Sequence, residues 1–248
     1  MSVSAPVPTA VVTGASRGFG HAIAAALVAA GTNVVGIARG EHALRAVRDE
    51  LGEGFTPVAA DATDETLAHD LIREHHPRLL VLNAGVPPHL APVHEQTWET
   101  FSRNWHADTR HAFTWTRAAL REPLAPGSVV VLMSSGAALA GSPLSGGYAG
   151  AKATIRYLRE YAADESRRAG LDIRFVALFP KLTPATGLGS AAVAGYAARQ
   201  GVDRDTFVDG LQPVLTPDQV AKTVVELAAD PDSAPEYLLT GTGPRALP

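Results

Sequence analysis

The chain has no cysteine, which excludes disulfides and thiolate-ligated metal sites and fits a reducing compartment. It has no apolar run of 18 residues, so no membrane-spanning helix is expected. Positive charge is not in excess: 21 Lys and Arg stand against 25 Asp and Glu, and a formal net charge of −4 gives no footprint for nucleic acid or an anionic membrane. The opening MSVSAPVPTA lacks a basic region followed by an apolar core, so residues 1–7 read as a disordered lead-in and the protein as cytoplasmic. No Ser/Gly-rich linker or charge block interrupts residues 8–248, and 46% hydrophobic residues suffice for one α/β domain.

What is present alternates between strand-like and helical stretches. Thr9–Thr13 (TAVVT) is short and β-branched, and it runs through GASRGFG into an alanine-rich helix, His21–Ala30. Gly14, Gly18 and Gly20 allow a tight turn and the approach of a pyrophosphate to free N–H groups at a helix amino end. Asn33–Ala38 reads as a strand buried on both faces. At its end, where a carboxylate would hold a ribose 2′-hydroxyl, stands Arg39, which suits a 2′-phosphate with Arg17 as the second half of a clamp. Glu41–Leu51 reads as a helix and Gly54–Ala60 as a third strand leading to Asp61 and Ala62. Asp64 is the better cap for the helix Glu65–Glu74, which leaves Asp61 to accept from an adenine amine. His75 and His76 point apart at that helix end and have no third ligand at suitable spacing, so no metal site is expected.

Arg78–Leu82 reads as a fourth strand, ending in Asn83, Ala84 and Gly85, small enough for a cofactor to lie against the strand end. A long helix, roughly Glu95–Arg121, carries Trp98, Phe101, Trp105, Phe113 and Trp115 at near-helical intervals, which suits core or subunit packing. The fifth strand, Ser128–Met133, precedes Ser135, and Tyr148 and Lys152 lie four residues apart on a helix running to about Arg168. A hydroxyl, a phenol and an amine thus meet at the carboxyl end of a buried strand, where open α/β sheets bind ligands. Leu171–Phe179 is a sixth strand. The Pro/Gly/Ala/Thr-rich stretch that follows, with a short helix near Ala191–Arg199, reads as a substrate lid near 181–210. A helix Pro217–Ala229 capped by Thr216 and a strand near Glu236–Leu239 close the chain, with no internal repeat beyond the alternation itself.

With TGASRGFG at Thr13–Gly20, NAG at Asn83–Gly85, and Ser135 with YxxxK at Tyr148–Lys152, in this order, the chain resembles the short-chain dehydrogenase/reductase family over nearly its whole length. The resemblance implies a doubly wound parallel sheet of about seven strands, a Rossmann fold, binding NADP(H) in preference to NAD(H) because Arg17 and Arg39 are basic. It implies that Gly14, Ser16, Arg17, Gly18, Phe19, Gly20, Arg39, Asp61, Ala62, Asn83, Ala84, Gly85, Tyr148, Lys152, Pro180 and Thr183 hold the cofactor. Tyr148 would be the acid/base, Lys152 its electrostatic partner, which also reaches the ribose, and Ser135 the donor to the substrate oxygen; Ser134 is the alternative serine. A phenol with an ordinary pKa of about 10 needs a nearby cation to act near neutrality.

Two positions depart from the family's pattern. Asp108 stands where an asparagine is usual, with Asn104 one helical turn earlier, and its charge either pairs with Lys152 or disturbs the proton path. Lys181 follows Pro180 where glycine is usual, leaving Thr183 or Thr186 for the carboxamide. The implied activity is reversible, NADP(H)-dependent reduction of a ketone or aldehyde, mostly apolar or neutral, by a homodimer or homotetramer. The alternative is an NADP(H)-binding regulatory or scaffold protein without turnover; an epimerase or dehydratase on a nucleotide-linked substrate would need more sequence after Phe179.

Overall fold

The computed structural model describes residues 7–248, so the lead-in expected over residues 1–7 lies, apart from Val7, outside the described residues. Strand β1 (Thr9–Thr13) occupies the middle of an eight-stranded sheet and is followed by helix α1 (Gly18–Ala29), β2 (Asn33–Ala38), α2 (Glu41–Leu51), β3 (Phe55–Ala59), α3 (Glu65–His75) and β4 (Leu79–Leu82). The strand order is β3-β2-β1-β4, continuing through β5 (Val129–Met133), β6 (Arg174–Pro180), β7 (Glu236–Thr240) and β8 (Gly243–Ala246). All neighbours run parallel except β8, which folds back antiparallel on β7 through the pair Thr240 and Gly243. The chain therefore proceeds outward from β1 in one direction and, from β4, in the other. That reversal opens a crevice at the carboxyl ends of β1 and β4.

Both faces of the sheet are covered, which is why its strands do not alternate in sequence. Ala10 and Val12 of β1 pack in one core with α1 and α10 (Pro217–Ala229), while Val11 between them packs in a second core with α3, α5 (Arg110–Arg121) and α7 (Gly146–Arg168). Capping sets several helix starts: Asp64 accepts from the N–H groups of Thr66 and Leu67, and Thr216 forms a capping box with Gln219 ahead of Pro217. No helix among the described residues is long and apolar enough to cross a membrane.

The structure corrects several expectations. The sheet has one more strand than the seven expected, because GPRA at β8 is too short and polar to read as a strand. Helix α1 begins at Gly18, not His21, so the last two glycines of the turn already form its first turn. The long helix expected over roughly Glu95–Arg121 runs unbroken from Trp98 to Arg121, with α4 (Trp98–Asn104) and α5 joined through a π-helical turn at Trp105–Thr109. Its aromatic residues divide accordingly. Trp115 is fully buried and its indole N–H donates to the Ala62 carbonyl at 2.8 Å, whereas Trp98, Trp105 and Phe113 are exposed. The stretch 181–210 holds two helices, α8 (Gly187–Gln200) and α9 (Arg204–Asp209), where one short helix was expected.

Candidate active site

The crevice is assembled around Thr13, the last residue of β1. Its hydroxyl donates to the Val81 carbonyl and accepts from the N–H groups of Asn83, at 2.9 Å, and Ala84, at 3.0 Å. In return the Asn83 amide donates to the carbonyls of Thr13 and Gly14, at 3.1 and 3.4 Å. Asn83 thus ties the two central strand ends together. Gly14 has φ +69°, and a side chain there would meet the Asn83 amide and the Ala84 backbone.

Ser16, Gly18 and Phe19 are half-buried around the start of α1, Gly20 is buried, and Arg17 is exposed. Helix α1 has neither a side-chain cap nor an acidic residue in its first turn, unlike α3, α8 and α10, whose amino ends are capped by their own side chains. Its free N–H groups fit the pyrophosphate of a dinucleotide. At the far end of this groove Arg39 is exposed after β2, and Ala62 is buried beside Asp61. Asp61 is less free than expected: one carboxylate oxygen accepts from the Thr63 N–H and hydroxyl. Those bonds hold its carboxyl below the usual range, partial burial opposes them, and Arg39 and Arg110 add a smaller lowering.

On the other side of the crevice lie Ser135, Tyr148 and Lys152. The Lys152 ammonium is buried; it donates to the Met133 carbonyl at 3.0 Å and sits 5.6 Å from the centre of the Tyr148 ring. Its third neighbour is Asp108, whose carboxylate oxygen Oδ2 is 3.4 Å away and which is itself buried. Oδ1 of Asp108 accepts from the Val86 N–H at 2.9 Å, and Asn104 Nδ2 donates to the Val86 carbonyl at 2.8 Å. Asp108 and Asn104 thus hold both sides of one peptide segment after Gly85. A side chain on Gly85 would stand 3.1 Å from both Asp108 oxygens, a tight contact that the carboxylate would have to shift to relieve. Ser135 is half-buried and its Oγ accepts from the Ala137 N–H at 3.2 Å. Ser134 is turned away, donating to the Lys152 carbonyl at 2.8 Å.

Helix α8 packs beside this end of the sheet through one aromatic residue. Tyr196 hydrogen bonds through its hydroxyl to Ser142 at 2.5 Å and accepts from the Leu144 N–H at 3.3 Å, pinning this helix to the loop before Tyr148. Sequence reading missed Tyr196; its one signal is a lone aromatic in the stretch AAVAGYAAR. Pro180 is buried at the end of β6. The buried Thr183 gives its hydroxyl proton to the Leu215 carbonyl at 2.6 Å and accepts from Ala185 N–H at 3.1 Å. Also missed was His111, buried one turn after Asp108. Burial first, then the Lys152 charge, pushes its pKa down to about 3 from 6.5. Among the described residues no group of three or more His, Asp or Glu is arranged to hold a metal ion.

A family model described as short chain dehydrogenase matches residues 8–196. The chain is 32% identical over 231 residues to a cis-4-hydroxycyclohexanecarboxylate dehydrogenase of Sinomonas cyclohexanicum, covering 89% of each chain. It is 29% identical over 235 residues to a probable NADP-dependent dehydrogenase of Haemophilus influenzae, covering 90% of this chain and 88% of that one. The crystal structure of a 3-ketoacyl-(acyl-carrier-protein) reductase from Brucella melitensis complexed with NADH has the same fold, with a TM-score of 0.79 at 23% identity over 94% of this chain and 97% of that one.

Two outcomes follow from the buried charges. Asp108→Ala strands the Lys152 ammonium on one carbonyl and lowers the unfolding free energy in urea by about 3 kcal/mol. Asp108→Asn, which retains an acceptor for Val86 but not the charge, loses less; equal losses would show that the charge beside Lys152, and not the bond to Val86, is what the site needs. For His111 the folded pKa is depressed, so the unfolded chain takes the proton first and stability falls as pH drops from 6.5 towards about 3. That contribution approaches about 1.4 kcal/mol per pH unit, and His111→Leu removes it from stability curves measured across the range.

Proposed function

The chain belongs to the short-chain dehydrogenase family, and from that premise we propose that it is an NADP(H)-dependent oxidoreductase interconverting a ketone or aldehyde and the corresponding alcohol. The observation that carries the reading is the Lys152 ammonium, fixed in a buried position beside the Tyr148 ring and next to the turn that presents Ser135.

When bound, the reduced nicotinamide supplies a hydride, two electrons with one hydrogen, to the carbonyl carbon and is left oxidised. Ser135 donates a hydrogen bond to the carbonyl oxygen and so favours negative charge there as the C=O π bond breaks. Tyr148 gives that oxygen its phenolic proton, and in the reverse direction takes it from the alcohol. Lys152 favours the phenolate by its positive charge and reaches the ribose hydroxyls. Gly14, Ser16, Gly18, Phe19 and Gly20 receive the pyrophosphate, Asp61 and Ala62 the adenine, and Asn83, Ala84 and Gly85 the ribose of the nicotinamide half. Pro180 and the segment containing Thr183 border the nicotinamide.

Arg17 and Arg39 support the phosphorylated cofactor, as does the NADP dependence in the name of the Haemophilus relative. An alicyclic alcohol in the name of the Sinomonas relative supports a secondary alcohol and ketone couple. Residues 181–210 act as the lid over the substrate. Packing of copies through the exposed Trp105, Phe113, Tyr157 and Tyr161 would give a homodimer or homotetramer, and the absence of cysteine agrees with a cytoplasmic location. One observation favours the second reading, a cofactor-binding regulator without turnover: the Asp108 carboxylate offsets the charge that Lys152 brings to Tyr148.

The deciding experiment follows NADPH absorbance against a broad carbonyl panel. Tyr148→Phe lowers turnover by roughly 10²-fold or more while NADPH binding, read by fluorescence, stays within error; a retained rate removes the acid/base role. The wild-type protein binds NADPH more tightly than NADH, and Arg39→Ala narrows that gap by roughly tenfold. Equal affinities in the unmodified protein contradict the cofactor assignment.

A further inference from the structure

The segments bordering the substrate side carry charge of one sign. Residues 134–151 contain no charged side chain, residues 84–94 contain only His89 and His94, and residues 181–202 contain only Lys181 and Arg199. No carboxylate appears in any of them, although the whole chain has four more acidic than basic residues. Beyond these segments, Asp108 is buried against Lys152 and Glu95 lies 3.6 Å from the His94 ring, while in the last part of the lid Asp203 caps α9, Asp205 lies 3.8 Å from Arg204 and Asp209 ends that helix.

Besides the buried Lys152, a second lysine, Lys181, is attached next to the turn that carries Ser135. Its N–H donates to the Leu239 carbonyl at 2.9 Å, and the preceding carbonyl, of Pro180, accepts from the Gly136 N–H at 2.9 Å. Strand β6 is thereby sewn to the turn that carries Ser135. A methyl on Gly136 would make ordinary contacts 3.7 Å from Lys181 Cα and 3.9 Å from its Cγ, so the lysine stem lies beside the Ser135–Gly136 turn. The side chain is exposed and enters no ion pair among the described residues. Elsewhere in these segments the contacts are apolar: Leu90 and Leu144 face Gly195 of α8. Arg199, also exposed, sits farther out with His94, Phe101 and Pro143 around a cavity of about 410 Å³.

We propose that Lys181 is a specificity-determining residue that recognises a carboxylate on the substrate, so that the substrate class is an oxo acid, with its hydroxy acid as product, on an otherwise apolar skeleton. The proposal rests on the carbonyl-reductase reading above. A lone ammonium on a flexible stem suits a single negative charge; a phosphate dianion is usually met by a second, forked donor. An uncharged pocket wall with one cation rewards a carboxylate over its ester without adding any group that touches the reacting carbonyl. It acts through substrate binding, so it lowers KM and leaves kcat in place.

The test compares levulinate and 4-oxocyclohexanecarboxylate with their methyl esters, using NADPH as reductant. The wild-type protein prefers the acid of at least one pair by roughly tenfold or more in kcat/KM, the preference lies in KM, and it shrinks as salt is raised because an exposed charge is screened. Lys181→Met brings acid and ester to parity with ester turnover and melting temperature unchanged, and Lys181→Arg keeps the preference. NADPH affinity of Lys181→Met, read by fluorescence titration without substrate, stays at the wild-type value. Parallel loss of NADPH binding would assign the lysine to the cofactor's phosphates and overturn the proposal. Loss of the preference in Arg199→Met, with Lys181→Met unaffected, would also overturn it. Equal wild-type turnover of acid and ester overturns this proposal alone, whereas absence of turnover with acids, esters and every other carbonyl overturns the reading of function beneath it.

Discussion

A lysine ammonium held out of water governs the layout of the site. Removing such a charge from solvent costs several kcal/mol unless partners replace the lost hydration, and the fold supplies them from three directions: the Met133 carbonyl at the end of β5, the Asp108 carboxylate on the π-helical turn, and the face of the Tyr148 ring one turn back on α7. Each partner fixes a different element relative to α7. Ser134 adds a fourth tie by donating to the Lys152 carbonyl, which leaves the neighbouring Ser135 on the crevice side of the turn. The two adjacent serines therefore divide the work, one holding the helix and the other facing the ligand space.

The same need for satisfied polar groups explains the crevice itself. Parallel strands end in unpaired carbonyls, and at β1 and β4 there is no continuing strand to take them. Thr13 and Asn83 answer each other's backbone groups across the gap, so the strand ends are closed without filling the space above them. The amino end of α1, by contrast, is left without a side-chain cap. A helix start with open N–H groups beside a closed strand end is a place for an anion.

Much of this was legible from sequence. Strands β1 and β2 and helices α2 and α10 have the boundaries read from their residues, because β-branched runs, caps and glycines punctuate them sharply. The motif residues Gly14–Gly20, Asn83–Gly85, Ser135, Tyr148 and Lys152 come to one end of the sheet. What escaped depends on tertiary context. The π-helical turn leaves no mark in WHADT, since all five residues tolerate ordinary helix; it arises where α4 must keep packing on α7 while Asn104 and Asp108 both reach Val86. Strand β8 has no pattern of its own and exists because β7 offers an edge. Tyr196 gains its hydroxyl partners, and His111 its burial, only once α8 and α5 are packed.

Asp108 shows how one substitution reorganises its surroundings. Where a main-chain carbonyl alone would leave the adjoining loop unattached, the carboxylate takes the Val86 N–H with one oxygen and faces Lys152 with the other. It also stands close to residue 85, where an added side chain would press on both carboxylate oxygens. The loop after β4 and the lysine of α7 are thereby joined through a single buried group. Displacement of that loop would alter the Val86 contact, and with it the position of the charge that balances Lys152. The position of the loop after β4 and the charge beside Tyr148 are in this way linked through one buried carboxylate.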